Sequence, residues 1–188
     1  MKARTWGRVL FLLAGVLLSQ VSPANDWQVD RQTSAIGFVA TYDEIPFEGF
    51  FKDFTADIRF DPAAPAGGSF EVKINIASVD TNSTDRNEGM LEADLFDSEK
   101  FPRASFSSTA FERLYGGNEF AVSGNLTIKG IVRPVKLVFT WVETGASVRL
   151  KGQTNVKRGD FKLGTGDWAE DDTIGFEVRV VFDLSLVR

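Results

Sequence analysis

The sequence predicts an all-β protein of about eight to nine antiparallel strands with one short helical insert, built as a sandwich or an up-and-down barrel. Three observations lead there. From Thr173 to Leu186 the chain alternates, with Ile174, Phe176, Val178, Val180, Phe182, Leu184 and Leu186 on one side and only Val181 out of step. A strand projects successive side chains to opposite faces, so this spacing makes one apolar and one solvated wall. The same rhythm recurs along most of the chain, interrupted by Gly, Asp and Pro at turn positions. The period changes only between Asp85 and Phe96, where Met90, Leu91 and Leu95 share a helical face.

In chain order, Lys2, Arg4 and Arg8 precede an apolar run from Val9 to Leu18, followed by Ser22-Pro23-Ala24. This pattern predicts a secretory signal peptide over residues 1–24, because the run has half of the ~20 residues that a membrane-spanning helix needs. The mature domain, 25–188, is then expected in the periplasm or another exported compartment, soluble after cleavage. Its first strand carries Trp27 and Val29, a polar break at Arg31 to Thr33, then Ile36, Phe38 and Ala40. Pro46 and Gly49 read as an interruption. A second alternating set, Phe54, Ala56, Ile58 and Phe60, stops at Asp61-Pro62, and a third runs through Phe70, Val72, Ile74 and Ile76. The helical insert, about 85–96, carries Asp85 and Glu88 as a capping pair. It serves either as a cap over an open barrel end or as filler in a long crossover. Strands resume with Ala104, Phe106, Ser108 and Ala110, then Phe120, Val122, Gly124, Leu126 and Ile128, with turns at Gly116-Gly117 and Lys129-Gly130. Val135, Leu137, Phe139 and Trp141 make the next strand, Gly145 its turn, and Val148, Leu150, Gly152, Thr154 and Val156 the one before the last.

Composition narrows the chemistry. The chain has 21 Lys and Arg against 26 Asp and Glu, a net charge of −5, which becomes −8 when the three basic leader residues leave. That sign repels polyphosphates, so nucleic acid is excluded as a partner. There is no cysteine, hence no disulfide, thiolate nucleophile or zinc–thiolate site, and no histidine, the usual base near neutral pH and the commonest transition-metal ligand. No metal and no cofactor are expected. The chain has 17 Phe and 4 Trp. These side chains supply area and shape with little polar chemistry.

The segments Ser34-Ala35-Ile36-Gly37-Phe38, Phe47-Glu48-Gly49-Phe50-Phe51, Leu95-Phe96-Asp97 with Phe101-Pro102, and Gly124-Asn125-Leu126-Thr127-Ile128-Lys129-Gly130 with Arg133-Pro134-Val135 resemble the landmarks of the YceI-like polyisoprenoid-binding family. The resemblance spans Trp27 to Leu186. It implies an antiparallel lipocalin-like barrel of about eight strands, often exported, that holds a long isoprenoid or fatty-acid-like chain in its lumen. Thr41-Tyr42 and Arg86-Asn87 depart from the usual family pattern.

The expected function is that of a carrier or store for a long-chain lipid, an isoprenoid quinone or a fatty-acyl derivative, with no bond made or broken. The expected apolar lining is Ile36 and Phe38 on the first strand, Phe54 and Ile58, Phe70, Val72 and Ile74, and Phe106 on those that follow. It continues through Phe120, Val122 and Leu126, Leu137, Phe139 and Trp141, Leu150, and Phe176, Val178, Val180 and Phe182. The same residues serve equally as an ordinary packed core, because a barrel of about eight strands is found filled or occupied. Small inward residues, Ala40, Ala56, Ala104, Gly124, Gly152 and Thr154, leave a void or let Phe rings interdigitate. Among basic turn residues, Arg86, Arg103, Lys129, Arg133, Arg158 and Lys162, the headgroup candidate is Arg86, since a guanidinium can bind two oxygens at once, and Tyr42 is a second candidate. The acidic cluster Asp167, Glu170, Asp171 and Asp172 reads as a solvated loop, lacking the spacing of a calcium loop. Two further readings stand beside the carrier. One is a filled barrel acting through its surface on a membrane redox or stress system. The other is a lipid isomerase or cyclase using acidic residues, Tyr42 or Tyr115. Transient contact with a membrane or a membrane redox protein is expected, and the protein is a monomer or dimer.

Overall fold

The computed structural model describes residues 26–170 and 173–188, so the expected signal peptide, like Asp171 and Asp172, lies outside the described residues. Among the described residues ten strands form: β1 (Asp26–Tyr42), β2 (Ile45–Phe51), β3 (Phe54–Arg59), β4 (Ser69–Asn75), β5 (Val79–Asp80), β6 (Arg103–Arg113), β7 (Glu119–Ile128), β8 (Ile131–Thr144), β9 (Ser147–Lys157) and β10 (Glu177–Val187). A helix, α1 (Thr84–Leu91), sits between β5 and β6. Neighbouring strands are antiparallel in the order β1-β3-β4-β6-β7-β8-β9-β10, and β10 returns to β1. Eight strands thus close a barrel. Closure leaves the ring without a free edge, the main hazard of an open sheet.

The long first strand serves three neighbours. Its N-terminal end pairs with β3 and its C-terminal half with β2, while β10 runs along its other edge from Gln28 to Val39. The polar break read at Arg31 to Thr33 is an outward bulge, in which five steps along β1 match two along β10. The Asp30 carboxylate holds it, accepting from the Gln32 N–H at 3.0 Å and the Thr33 hydroxyl at 2.9 Å.

Residues 45–51, expected to interrupt the sheet, form β2 instead. The turn before it is Asp43-Glu44, both at positive φ (48° and 63°), the backbone of a tight hairpin without its usual glycine. Pro46 is tolerated because β5 reaches β2 only at Phe50 and Phe51, so the edge beside the proline needs no donor. α1 ends at Leu91, five residues before the expected limit. Its N-cap is Ser83, whose hydroxyl accepts from the Arg86 N–H, and the Asp85–Glu88 pair plays no capping part. β10 begins at Glu177, so Phe176 lies before the strand, 42% exposed, where the Arg158 guanidinium stacks on its ring.

The two halves of the barrel differ. At one end, formed by the start of β1 and the end of β3 among others, Phe60 sits at the centre of a ring cluster. Its centroid lies 5.0 Å from Phe120, 4.9 Å from Trp141 and 5.4 Å from each of Phe111 and Phe139. Phe70 closes on Phe111 at 4.9 Å, and Trp27 on Trp141 at 5.5 Å. Edge-to-face and tilted pairs at these separations fill space densely. Glycines admit the rings: a Cβ on Gly152 would stand 2.3 Å from Phe182 and 2.5 Å from the Val138 carbonyl. Interdigitated phenyl rings therefore plug this half.

Candidate functional site

The other half of the barrel is hollow. A cavity of about 460 Å³ lies among the C-terminal part of β1, the ends of β4, β7 and β9 and the starts of β6 and β10. It falls within the roughly 300–1,000 Å³ of small-molecule sites. Its walls are Ile36, Phe38 and Ala40 from β1, Ile74 and Ile76, Ala104, Leu126 and Ile128, Val156, and Val178 and Val180. Ile36, Ile74 and Leu126 also pack on the ring cluster, so they form the floor of the pocket.

Of the expected lining, Ile36, Phe38, Ile74, Leu126, Val178 and Val180 border this cavity, and so do both headgroup candidates, Arg86 and Tyr42. Thirteen of the expected residues do not. Phe54, Ile58, Phe70, Phe106, Phe120, Val122, Phe139, Trp141 and Leu150 are buried in the packed half, and Val72, Leu137 and Phe182 pack against it. Phe176 is outside the barrel wall. The physical reason is depth: all but Phe176 sit on the inward face, but an inward side chain in the aromatic half meets other rings rather than space. Ala40 and Ala104 leave room in the hollow half, whereas Gly124 and Gly152 are filled by Phe106 and Phe182. The two readings of the small residues each hold in one half.

Three segments cover the hollow end. The first is α1, whose Arg86, Gly89 and Met90 face the cavity. It is fixed at its start by Asn87, whose side-chain oxygen accepts from the Thr81 N–H at 2.8 Å and hydroxyl at 2.7 Å. Asn87 also donates to Asp80, which is paired with Lys52. The Lys52 ammonium, then the Asn82 N–H and the Asn87 amide, hold the Asp80 carboxyl down at about 2. A carboxylate depressed below its unfolded value stabilises the fold above that value and ceases to as pH falls through the folded one. Asp80→Asn is therefore expected to lower Tm at neutral pH, with the deficit vanishing between about pH 4 and pH 2 in melts run across that range.

The second segment, residues 92–102, contributes Leu95 and Phe96. The third, residues 158–170 with 173–176, contributes Leu163, Trp168 and Ile174 and is gathered around Arg158, only 3% exposed. Arg158 donates to the carbonyls of Ile174, Leu163 and Glu170 at 2.8, 3.0 and 2.6 Å and also reaches Gly175. Charge-assisted bonds of this kind contribute roughly 1.5–3 kcal/mol each. Arg158→Met is expected to open the 163–170 loop, seen as faster amide exchange there and a Tm lower by several degrees, while Arg158→Lys, lacking the planar fork, restores little. Among the basic turn residues, Arg158 is thus a clamp on main-chain oxygens. Lys129 is likewise engaged, donating to the carbonyls of Ala93 and Lys162.

Arg86 differs. It is half-buried on the cavity rim, its guanidinium 4.3 Å from the Phe47 ring centroid with one contact to the Thr81 carbonyl at 3.5 Å. Tyr42, 41% exposed, stands on the same rim and pairs with Ile174. Tyr115 lies in the β6–β7 turn at the filled end, fully exposed, and has no access to the lumen. Sequence reasoning missed Phe47 and Phe51, which line the cavity from β2. Their alternation with Gly49 was visible, but Pro46 and Gly49 masked it.

Residues 27–186 match the YceI-like domain. A UPF0312 protein of Photorhabdus laumondii is 32% identical over 176 residues, covering 87% of this chain and 91% of that protein. The crystal structure of BcnA from Burkholderia cenocepacia superposes with a TM-score of 0.81 at 35% identity, covering 84% of this chain and 99% of BcnA. A polyisoprenoid binding domain from Saccharophagus degradans, implicated in plant cell wall breakdown, aligns with a TM-score of 0.65 at 20% identity over 86% of this chain and 97% of that one, a likeness of fold.

Proposed function

Since the chain belongs to the YceI-like family, we propose that it is an exported carrier or store for a long-chain isoprenoid or fatty-acid-like lipid. The lipid tail lies in the half-barrel cavity and its head at the rim beside Arg86 and Tyr42. The observation that carries this reading is a cavity of about 460 Å³ with apolar walls and a closed floor. The polyisoprenoid binding domain that shares the fold supports the same class of cargo.

Apolar burial is sufficient for the task. Each methylene taken from water contributes about 0.8 kcal/mol, so ten contribute ~8 kcal/mol against the cost of immobilising one flexible chain. Specificity falls to the rim, where the Arg86 guanidinium and the Tyr42 hydroxyl offer donors to a polar head. Uptake and release need no bond chemistry. The leader pattern supports export, and fractionation of a cell expressing the full chain is expected to place the processed protein in the periplasm.

Solvent extraction of the purified protein followed by mass spectrometry is expected to return one long-chain lipid in near-stoichiometric amount. Empty extracts from several hosts, with no uptake of added prenyl lipid, would overturn the reading.

A further inference from the structure

The cover over the cavity is sewn on one side and unsewn on the other. On the sewn side Asp94, just past α1, holds the third covering segment: its carbonyl accepts from the N–H groups of Gly164 at 2.8 Å and Thr165 at 3.1 Å, and its carboxylate from the Thr165 hydroxyl. Lys129 adds a tie from the β7–β8 turn to both segments at 2.7 and 3.2 Å. The wall beneath is also shut. β8 and β9 stop pairing beyond Val138 and Gln153, and Phe161, 1% exposed, packs there with Ile128, Ile131 and Val156.

On the other side α1 faces the β1–β2 hairpin. Among the described residues no hydrogen bond joins α1 to β1 or β2; the two sides meet through Met90 and Leu91 packed in one apolar cluster with Phe38, Ala40, Phe47 and Phe51, and through the Arg86 guanidinium resting on Phe47, contacts that can part without breaking a hydrogen bond. No residue of α1 is fully buried. Gly89 lies one turn beyond Arg86 on the same face, borders the cavity, is solvent-exposed, and a Cβ built on it meets nothing within 4 Å. In a helix interior glycine costs roughly 0.5–1 kcal/mol relative to alanine, so its presence on this face favours open space over helix stability.

We propose that cargo enters and leaves between α1 and the β1–β2 hairpin, and that the missing side chain at Gly89 keeps this passage open. The inference rests on the lipid-binding reading above and adds the route to the site. A passage differs from a binding contact in its kinetic signature: obstruction slows arrival and departure together and leaves the equilibrium constant in place.

The chain has no cysteine, which makes the test clean. Gly89→Cys is modified with methanethiosulfonate reagents of increasing bulk, and Gly159→Cys, equally open but on the sewn side, is the control. Stopped-flow uptake and release of dansyl-labelled geranylgeraniol are then followed on each folded, labelled protein. Bulk at Gly89 is expected to slow both rates by about tenfold with Kd held within about threefold, and bulk at Gly159 to change neither. Unchanged rates at Gly89, equal slowing at both positions, or a Kd raised through faster release alone would overturn the proposal. Wild-type protein that takes up no probe would instead remove the binding reading, and the route with it.

Discussion

Ala104→Trp is expected to cut lipid uptake by more than tenfold while leaving the protein folded and at least as stable. Ala104 is buried on β6 opposite Ile74, with its methyl group on the cavity wall. Extra bulk in a packed core forces strain of roughly 1–3 kcal/mol, but here the indole grows into space that already exists. The added ring takes the place of the cargo's tail and makes the contacts the tail would have made. The apo protein is then expected to melt at or above the wild-type temperature and to lose the Tm increment that saturating lipid confers on wild type. Titration of the folded variant with a prenyl alcohol, beside a melt, separates loss of the cavity from loss of the fold.

Phe60→Ala is expected to have the opposite profile. Phe60 is 1% exposed and touches five other aromatic rings, so its removal opens a hole that none of its neighbours can fill without leaving its own contacts. Truncations of this kind cost roughly 3–5 kcal/mol. For a domain of this size each kcal/mol is about 2–4 °C, which places the expected fall in Tm at roughly 6–20 °C. Lipid uptake per folded molecule is expected to persist, because Phe60 lies below the floor set by Ile36, Ile74 and Leu126. The two substitutions together divide the barrel into a half that stabilises and a half that holds cargo.

Most of the architecture was legible in the sequence because a strand with one buried face writes its own period. The turns at Lys129-Gly130 and Gly145 carry positive φ as their glycines suggested. The hairpin at Asp43-Glu44 was not legible, since nothing in that pair announces a left-handed turn, and β2 was lost with it. The limits of α1 were misplaced because Ser83, the cap that the backbone uses, precedes the more conspicuous acidic pair. In the site, alternation tells inward from outward but is blind to depth along the barrel. Phe38 and Phe120 both point inward; one lies against Phe47 and Phe51 on the cavity wall and the other is enclosed by Phe60 and Phe139, a difference set by which strands meet across the lumen. Arg158 and Arg86 look alike as turn arginines, and only the fold distinguishes a buried clamp from a cation on the rim.

In the proposed carrier a hydrocarbon tail fills the apolar pocket down to the floor of Ile36, Ile74 and Leu126 that rests on the ring cluster. The most direct test is the affinity of the purified protein for prenyl alcohols of increasing chain length. Affinity is expected to climb with each added unit while methylenes are being buried, then level off once the tail reaches the floor. Affinity that ignores chain length, or that keeps climbing without a plateau, would contradict it.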